Sequence, residues 1–174
     1  EGADLGLGYD GDSDRVGVID EKGNPIYADQ ILAILAKELL QRKKGSKIIF
    51  DVKCSQMLPE VIEAAGGVPV IYKTGHSLIK KKLKEEGAPL AGEMSGHIFF
   101  KDRFFGFDDG IYVSFRLAEL LAAQDKTMGE LVAELPHYYS TPEIRITCPD
   151  DKKFAVVEQL TDTFKKEHEV IDID

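Results

Sequence analysis

The chain has 174 residues, 22 of them Lys or Arg and 31 Asp or Glu, for a formal charge of −9. With 43% hydrophobic and 30% charged residues it is long enough and apolar enough to build a core, which excludes disorder, collagen and a coiled coil. The acidic balance argues against a nucleic-acid binder working through a basic face, no apolar run nears the ~20 residues of a membrane helix, and no signal sequence leads the chain.

Leu5–Tyr9 is a short apolar run and Val16–Asp20 alternates like a strand, with the acidic turn Asp10-Gly11-Asp12-Ser13-Asp14-Arg15 between them. Pro25–Tyr27 reads as a returning strand after the turn Glu21–Asn24. Asp29 is placed to cap a helix over 30–42, whose Ile31, Leu35 and Leu39 recur at helical spacing. Lys47–Val52 predicts a buried strand, and Ser55 caps a helix that Gly66-Gly67 ends. Val68–Tyr72 predicts a second buried strand. Thr74-Gly75-His76 then forms a loop before a Lys-rich helix from Ser77 to Gly87.

Pro89–Glu93 and Ile98–Lys101 predict strands around the turn Met94–His97. Asp109 caps a helix with an apolar stripe of Ile111, Phe115, Ala118 and Ala122, and Thr127 with Glu130 forms a capping box for another, ended by Pro136. Glu143–Thr147 predicts a strand, Phe154, Val157, Leu160 and Phe164 an amphipathic helix, and Val170–Asp174 a last strand. Strands and helices alternating from about 25 to 136 predict an α/β domain, a mixed sheet with helices packed on it. Residues 1–24 read as the end of a preceding domain and 137–174 as the beginning of the next. Glu1 in place of an initiator Met points the same way.

The acidic turn carries the strongest chemical signal. Three alternating carboxylates, Asp10, Asp12 and Asp14, can converge around a Gly-containing turn, and their mutual repulsion is relieved by a cation. An all-oxygen anionic ligand set suits a hard ion such as Mg²⁺ or Ca²⁺, and Arg15 stands beside it to meet a phosphate. An EF-hand loop is an alternative, with Glu21 at its twelfth position, but Arg15 replaces the turn glycine and strands replace the helices. A solvated Asp-rich hairpin is the other.

Other polar residues cluster after strands. Lys53 follows one and Gly75-His76 another, each also readable as ordinary surface. In Gly92-Glu93-Met94-Ser95-Gly96-His97, a carboxylate, a hydroxyl and an imidazole occupy every second position, so a locally extended backbone puts them on one side. A carboxylate with a hydroxyl suits vicinal sugar hydroxyls, and an imidazole can move a proton. The lysines at 80–82 and 84 read as a solvated face. Cys54 and Cys148, far apart and outside any CxxC, read as reduced thiols of a cytoplasmic protein.

Tyr-Asp-Gly-Asp-Ser-Asp-Arg at 9–15, Lys53 after a strand, Thr-Gly-His at 74–76 and Gly-Glu-Met-Ser-Gly-His at 92–97 occur in that order. The set closely resembles the α-D-phosphohexomutases, most of all their bacterial phosphomannomutase/phosphoglucomutase branch. Met94 favours that branch over the phosphoglucosamine mutases, which typically place Gln there. The resemblance implies that Asp10, Asp12 and Asp14 bind Mg²⁺ and that Arg15 stands by an active phosphoserine. It also implies that Glu93 and Ser95 hold sugar hydroxyls, that Gly75 and His76 line the sugar pocket, and that Lys53 and His97 transfer protons. The implied reaction passes a phosphoryl group from phosphoserine to a hexose monophosphate, through a hexose 1,6-bisphosphate that turns around and returns its other phosphate.

The family's serine motif and its final phosphate-binding loop have no match in the chain; His76-Ser77 is the only His–Ser adjacency. The resemblance therefore implies a domain 3-like centre with partial flanking domains, partnered by the remaining domains of a parent chain and by a phosphosugar, and inactive alone. A non-catalytic metal- or sugar-binding module is the reading from another class.

Overall fold

A computed structural model describes residues 2–139 and 144–174. It comprises two units, Glu1–Tyr138 and Tyr139–Asp174. The first opens with an antiparallel meander of β1 (Gly6–Tyr9), β2 (Val16–Ile19) and β3 (Pro25–Ile26). Tyr9 pairs with Val16, so residues 10–15 form the connecting loop.

The chain then runs through α1 (Ala28–Arg42), β4 (Lys47–Asp51), α2 (Met57–Ala64), β5 (Val68–Tyr72) and α3 (His76–Glu86). It continues through β6 (Leu90–Gly92), β7 (Ile98–Phe100), α4 (Gly110–Ala122) and α5 (Met128–Ala133). The second sheet has the order β5-β4-β6-β7, with β5, β4 and β6 parallel and β7 antiparallel. The fold is thus α/β with a mixed sheet.

Side-chain alternation divides the sheet's two faces. Ile48, Phe50, Leu90, Ile98 and Phe100 join the cluster of Leu32, Leu35 and Leu39 from α1 and Leu58 and Ile62 from α2. Ile49, Ala91 and Phe99 face the other way, against Ile79 and Leu83 of α3. Each buried Leu, Ile or Phe among these contributes about 1.5–3 kcal/mol relative to exposure. Val16, Val18 and Ile26 belong to the first cluster, so the meander and the α/β layer share a core.

Several local expectations shift. Helix α1 starts two residues before the predicted span, at Ala28, and Asp29 lies inside its first turn. Its carboxylate instead accepts from the amide of Ser55 at 3.0 Å, tying α1 to the turn after β4. Strand β5 lies at the sheet edge and is only half-buried. His76 is the first residue of α3, with Gly75 at the N-cap, rather than part of the loop.

Ile111 and Phe115 on α4 are exposed, and Val113, Leu117 and Leu120 form its buried face. Both faces of this helix are apolar, and the core selects between them. In the second unit α6 (Lys153–Phe164) forms as predicted, with none of its residues buried. Of the predicted strand 143–147, Glu143 lies outside the described residues, and 144–147 are not strand; neither is 170–174. Without a neighbouring strand, alternation alone does not make one. No helix among the described residues is long and apolar enough to cross a membrane.

Candidate functional site

The loops after β4, β5 and β6 leave the same edge of the sheet, the carboxyl edge of its parallel strands, where open α/β sheets present ligand sites. They carry Lys53, Gly75 and His76, and Glu93 to His97 respectively. Asp51, at the end of β4 and fully buried, ties the three together. Its carboxylate accepts from the Met94 amide at 2.9 Å, from Thr74 Oγ1 at 3.3 Å and from Cys54 Sγ at 3.0 Å. Burial and this carboxylate push the Cys54 thiol far up. Lys53 stands exposed one residue away, with no ion pair among the described residues.

Glu93, Ser95 and His97 do converge, but not along an extended backbone. The segment is a tight turn in which the Glu93 amide donates to the His97 carbonyl at 2.9 Å and the Gly96 amide to the Glu93 carbonyl at 3.1 Å. Gly96 has φ +99°, and a side chain there would press on the carbonyl of Val16 at 3.3 Å. The Glu93 carboxylate is buried. Oε1 accepts from the Gly75 amide at 2.6 Å, and Oε2 lies 3.2 Å from His97 Nδ1. Ser95 Oγ, which is exposed, also meets Nδ1 at 2.8 Å. The three side chains meet as the sequence predicts, but through a turn and not along an extended strand.

The acidic loop is brought to this turn by backbone pairing. Arg15 and His97 form an antiparallel bridge, and the Val16 amide donates to the Gly96 carbonyl at 3.4 Å. Side chains follow, with His97 Nε2 3.4 Å from Asp14 Oδ2. The first residue of α4 also packs on the loop. The Gly110 amide donates to the Ser13 carbonyl at 2.9 Å, and a Cβ on Gly110 would meet the carbonyl oxygens of Ser13 and Arg15 at 2.9 Å.

One carboxylate oxygen from each of Asp10, Asp12 and Asp14 lies within 4.8 Å of the others, a donor set that fits a hard divalent cation. Arg15 Nε donates to Asp10 Oδ2 at 2.6 Å. Against the raising effect of desolvation, this guanidinium holds the Asp10 carboxyl below its ordinary range. Strands flank the loop, which removes the EF-hand reading, and Glu21 is turned away to accept from Thr127 Oγ1 and the Gly129 amide.

Beneath the turn lies a residue that sequence reasoning missed. Asp108 accepts from Lys80 Nζ at 2.8 Å, and its other oxygen lies 3.4 Å from His76 Nδ1. The His76 ring stacks on His97 with centroids 5.5 Å apart. No motif marks Asp108 or Asp51; Asp51 closes an apolar strand, and Asp108 directly precedes the helix cap Asp109. A separate groove of about 530 Å³ between α1 and α4 holds none of the predicted residues. Its Arg42, Arg103 and Arg116 are already paired with Glu38, Asp102 and Glu119.

The family model described as phosphoglucomutase/phosphomannomutase, alpha/beta/alpha domain III, matches residues 27–139. A phosphomannomutase/phosphoglucomutase of Pseudomonas aeruginosa is 55% identical over 160 residues, covering 92% of this chain and 35% of the relative. A phosphoglucomutase of Neisseria gonorrhoeae is 46% identical over 175 residues, covering 99% of this chain and 38% of its own. The crystal structure of a phosphoglucomutase/phosphomannomutase family protein from Burkholderia thailandensis superposes with a TM-score of 0.90 at 45% identity, covering 99% of this chain and 36% of that one. The chain thus spans about a third of the length of the curated relatives it matches.

Proposed function

Since this chain belongs to the phosphoglucomutase/phosphomannomutase family, we propose that its residues form the cation-binding and sugar-reading wall of a phosphohexomutase acting on glucose and mannose phosphates. The overall reaction moves a phosphoryl group between the 1- and 6-hydroxyls of a hexose. Each transfer breaks a phosphoester P–O bond, forms a new one to the attacking hydroxyl and releases that hydroxyl's proton. The phosphoryl donor in this reading is a phosphoserine supplied by another part of the enzyme, and hexose 1,6-bisphosphate is the intermediate.

The observation that carries the reading is the Arg15–His97 bridge, which sets a three-aspartate loop against a Glu-Ser-His turn. Asp10, Asp12 and Asp14 would hold Mg²⁺, which supplies positive charge against phosphoryl oxygens. Arg15 adds a second cation at the same edge. Ser95, exposed, meets a sugar hydroxyl directly. Glu93 forms the buried end of the grip, two of its roughly four acceptor sites being filled. Central hydroxyls are read because the sugar must bind in two orientations.

His97 and Lys53 are the proton carriers. The His97 ring lies beside both the aspartate loop and the sugar-reading hydroxyl, and Lys53 is exposed on the adjoining turn. His76 and Gly75 complete the pocket wall. Met94 in the turn favours glucose and mannose over the phosphoglucosamine alternative. The protein acts in the cytoplasm on this reading.

Titration of the ¹⁵N-labelled chain with glucose 1,6-bisphosphate in the presence of Mg²⁺ tests the proposal. Amides of residues 10–15, 75–76 and 93–97 shift together if it is right. Shifts confined to other surfaces, or none at millimolar ligand, refute it.

A further inference from the structure

Among the described residues, potential metal donors gather in two groups that share Asp14: the three-aspartate loop, and Asp14 with His97 and Asp108. We propose that the second group is a distinct cation site, selective for a borderline divalent ion such as Zn²⁺. The inference rests on the arrangement of these three side chains and not on the proposed mutase reaction.

The first support is spacing. Bonds of about 2.1 Å in a tetrahedral zinc site place neighbouring ligand atoms about 3.4 Å apart. His97 Nε2 and Asp14 Oδ2 are 3.4 Å apart, and one ligand atom from each of Asp14, His97 and Asp108 lies within 4.8 Å of the others. The donors come from three separate segments of the first unit: the loop after β1, the turn before β7 and the approach to α4.

The second support is the far side of the imidazole. His97 Nδ1 lies 3.2 Å from the buried carboxylate of Glu93 and 2.8 Å from Ser95 Oγ. A proton on Nδ1 donated there leaves the Nε2 lone pair facing Asp14. A histidine that ligates a metal commonly has its other nitrogen held in this way by a carboxylate.

The third support is Asp108, whose side chain is only 7% exposed. Lys80 takes Oδ1, but Oδ2 is buried without a hydrogen-bond partner among the described residues, His76 Nδ1 standing 3.4 Å away. A buried carboxylate oxygen that accepts no hydrogen bond, close to a second carboxylate, is costly, and a cation between them removes the cost. The imidazole nitrogen then sets the metal class. Mg²⁺ prefers oxygen alone, whereas a His and two carboxylates suit Zn²⁺ or its spectroscopic stand-in Co²⁺.

The test is Co²⁺ titration of the chelator-stripped 174-residue chain in excess Mg²⁺, read by visible absorption and, with Zn²⁺, by the His97 ring nitrogen resonances. One equivalent of Co²⁺ should give a visible band that Zn²⁺ abolishes and Mg²⁺ does not, and Zn²⁺ should shift Nε2. His97→Gln and Asp108→Asn should each weaken binding at least about tenfold, the order seen when metal-site groups are removed. Asp12→Asn should leave it within about twofold. Absence of a band and of a ring shift overturns the site, as does a band that survives His97→Gln and disappears with Asp12→Asn. If Asp108→Asn fails to fold by circular dichroism, the His97→Gln variant and the wild-type ring resonances decide alone.

Discussion

The buried carboxylate of Asp51 accepts from the backbone amide of Met94 at 2.9 Å, so the end of β4 fixes the turn that follows β6. The same carboxylate reaches Thr74 and Cys54, and no ion pair offsets its charge among the described residues. Its stabilisation comes from donors on three loops, and those loops gain a common anchor. Asp51→Ala leaves three donors without their acceptor and should cost about 1–3 kcal/mol in urea unfolding. Amide resonances of Gly75 and residues 93–97 should move with it. Asp51→Asn, which keeps one acceptor oxygen, should lose less. Equal stability of the Ala variant and wild type would show that the anchor is idle.

Gly110 allows a close approach rather than an unusual dihedral. A Cβ there would sit 2.9 Å from two carbonyl oxygens of the acidic loop, and both are backbone atoms. Either the loop or the start of α4 must move. Gly110→Ala should therefore destabilise by about 1–3 kcal/mol, the usual range for overpacking. It should also weaken Mg²⁺ binding, because displacement of Ser13 and Arg15 spreads the three aspartates. Calorimetric titration of Mg²⁺ beside a thermal melt separates the two effects, and unchanged Mg²⁺ affinity would contradict the coupling.

Motif residues were legible in the sequence because their chemistry is local. Asp10, Asp12 and Asp14 lie within five residues of one another, and Glu93, Ser95 and His97 within another five. Partners that act through tertiary contact were not. Asp51 reads as one polar residue within the apolar strand 47–52, and nothing near Asp108 reveals that Lys80 and His76 fold against it. Helical spacing marked Ile111 and Phe115 as a buried stripe, but Val113, Leu117 and Leu120 form an equally good one, and the positions of α1, β2 and β7 choose. Pairing across the two loops, Arg15 with His97, is a long-range bridge that no window of sequence contains.

Glu86 offers a test of electrostatics away from the site. Hydrogen bonds from Lys47 at 2.5 Å and from Lys82 at 2.5 Å hold its carboxyl down at about 2, against 4.5 ordinarily. A depressed folded-state value means the stabilisation is complete above pH 4.5 and is lost as pH falls from there through about 2. Carboxyl carbon NMR titration should find a midpoint near 2 in wild type. Lys47→Met should raise it, Lys47 being the first of the two causes. Lys47→Met should also flatten the fall in melting temperature below pH 4.5. A wild-type midpoint at the ordinary glutamate value would show that these surface pairs are not held in solution.

The last prediction concerns the sugar. Glu93 is the buried end of the proposed grip and opens its turn, within hydrogen-bond reach of Gly75 and His97. A group that reads central hydroxyls must serve both orientations of a turning intermediate, and it must serve glucose and mannose alike. The chain can be placed in the corresponding third of the Pseudomonas aeruginosa relative, with which it is 55% identical over the aligned residues, and that chimera assayed. Glu93→Ala in the chimera should lower kcat/KM by roughly a hundredfold or more, the scale for removing one group that the transition state requires. The factor should be similar for glucose 1-phosphate and mannose 1-phosphate. Glu93→Gln keeps the acceptor for the Gly75 amide and should restore folding stability with only part of the activity. A loss confined to one sugar would mean that Glu93 reads a hydroxyl on which the two sugars differ. Full activity in Glu93→Ala would place the grip elsewhere.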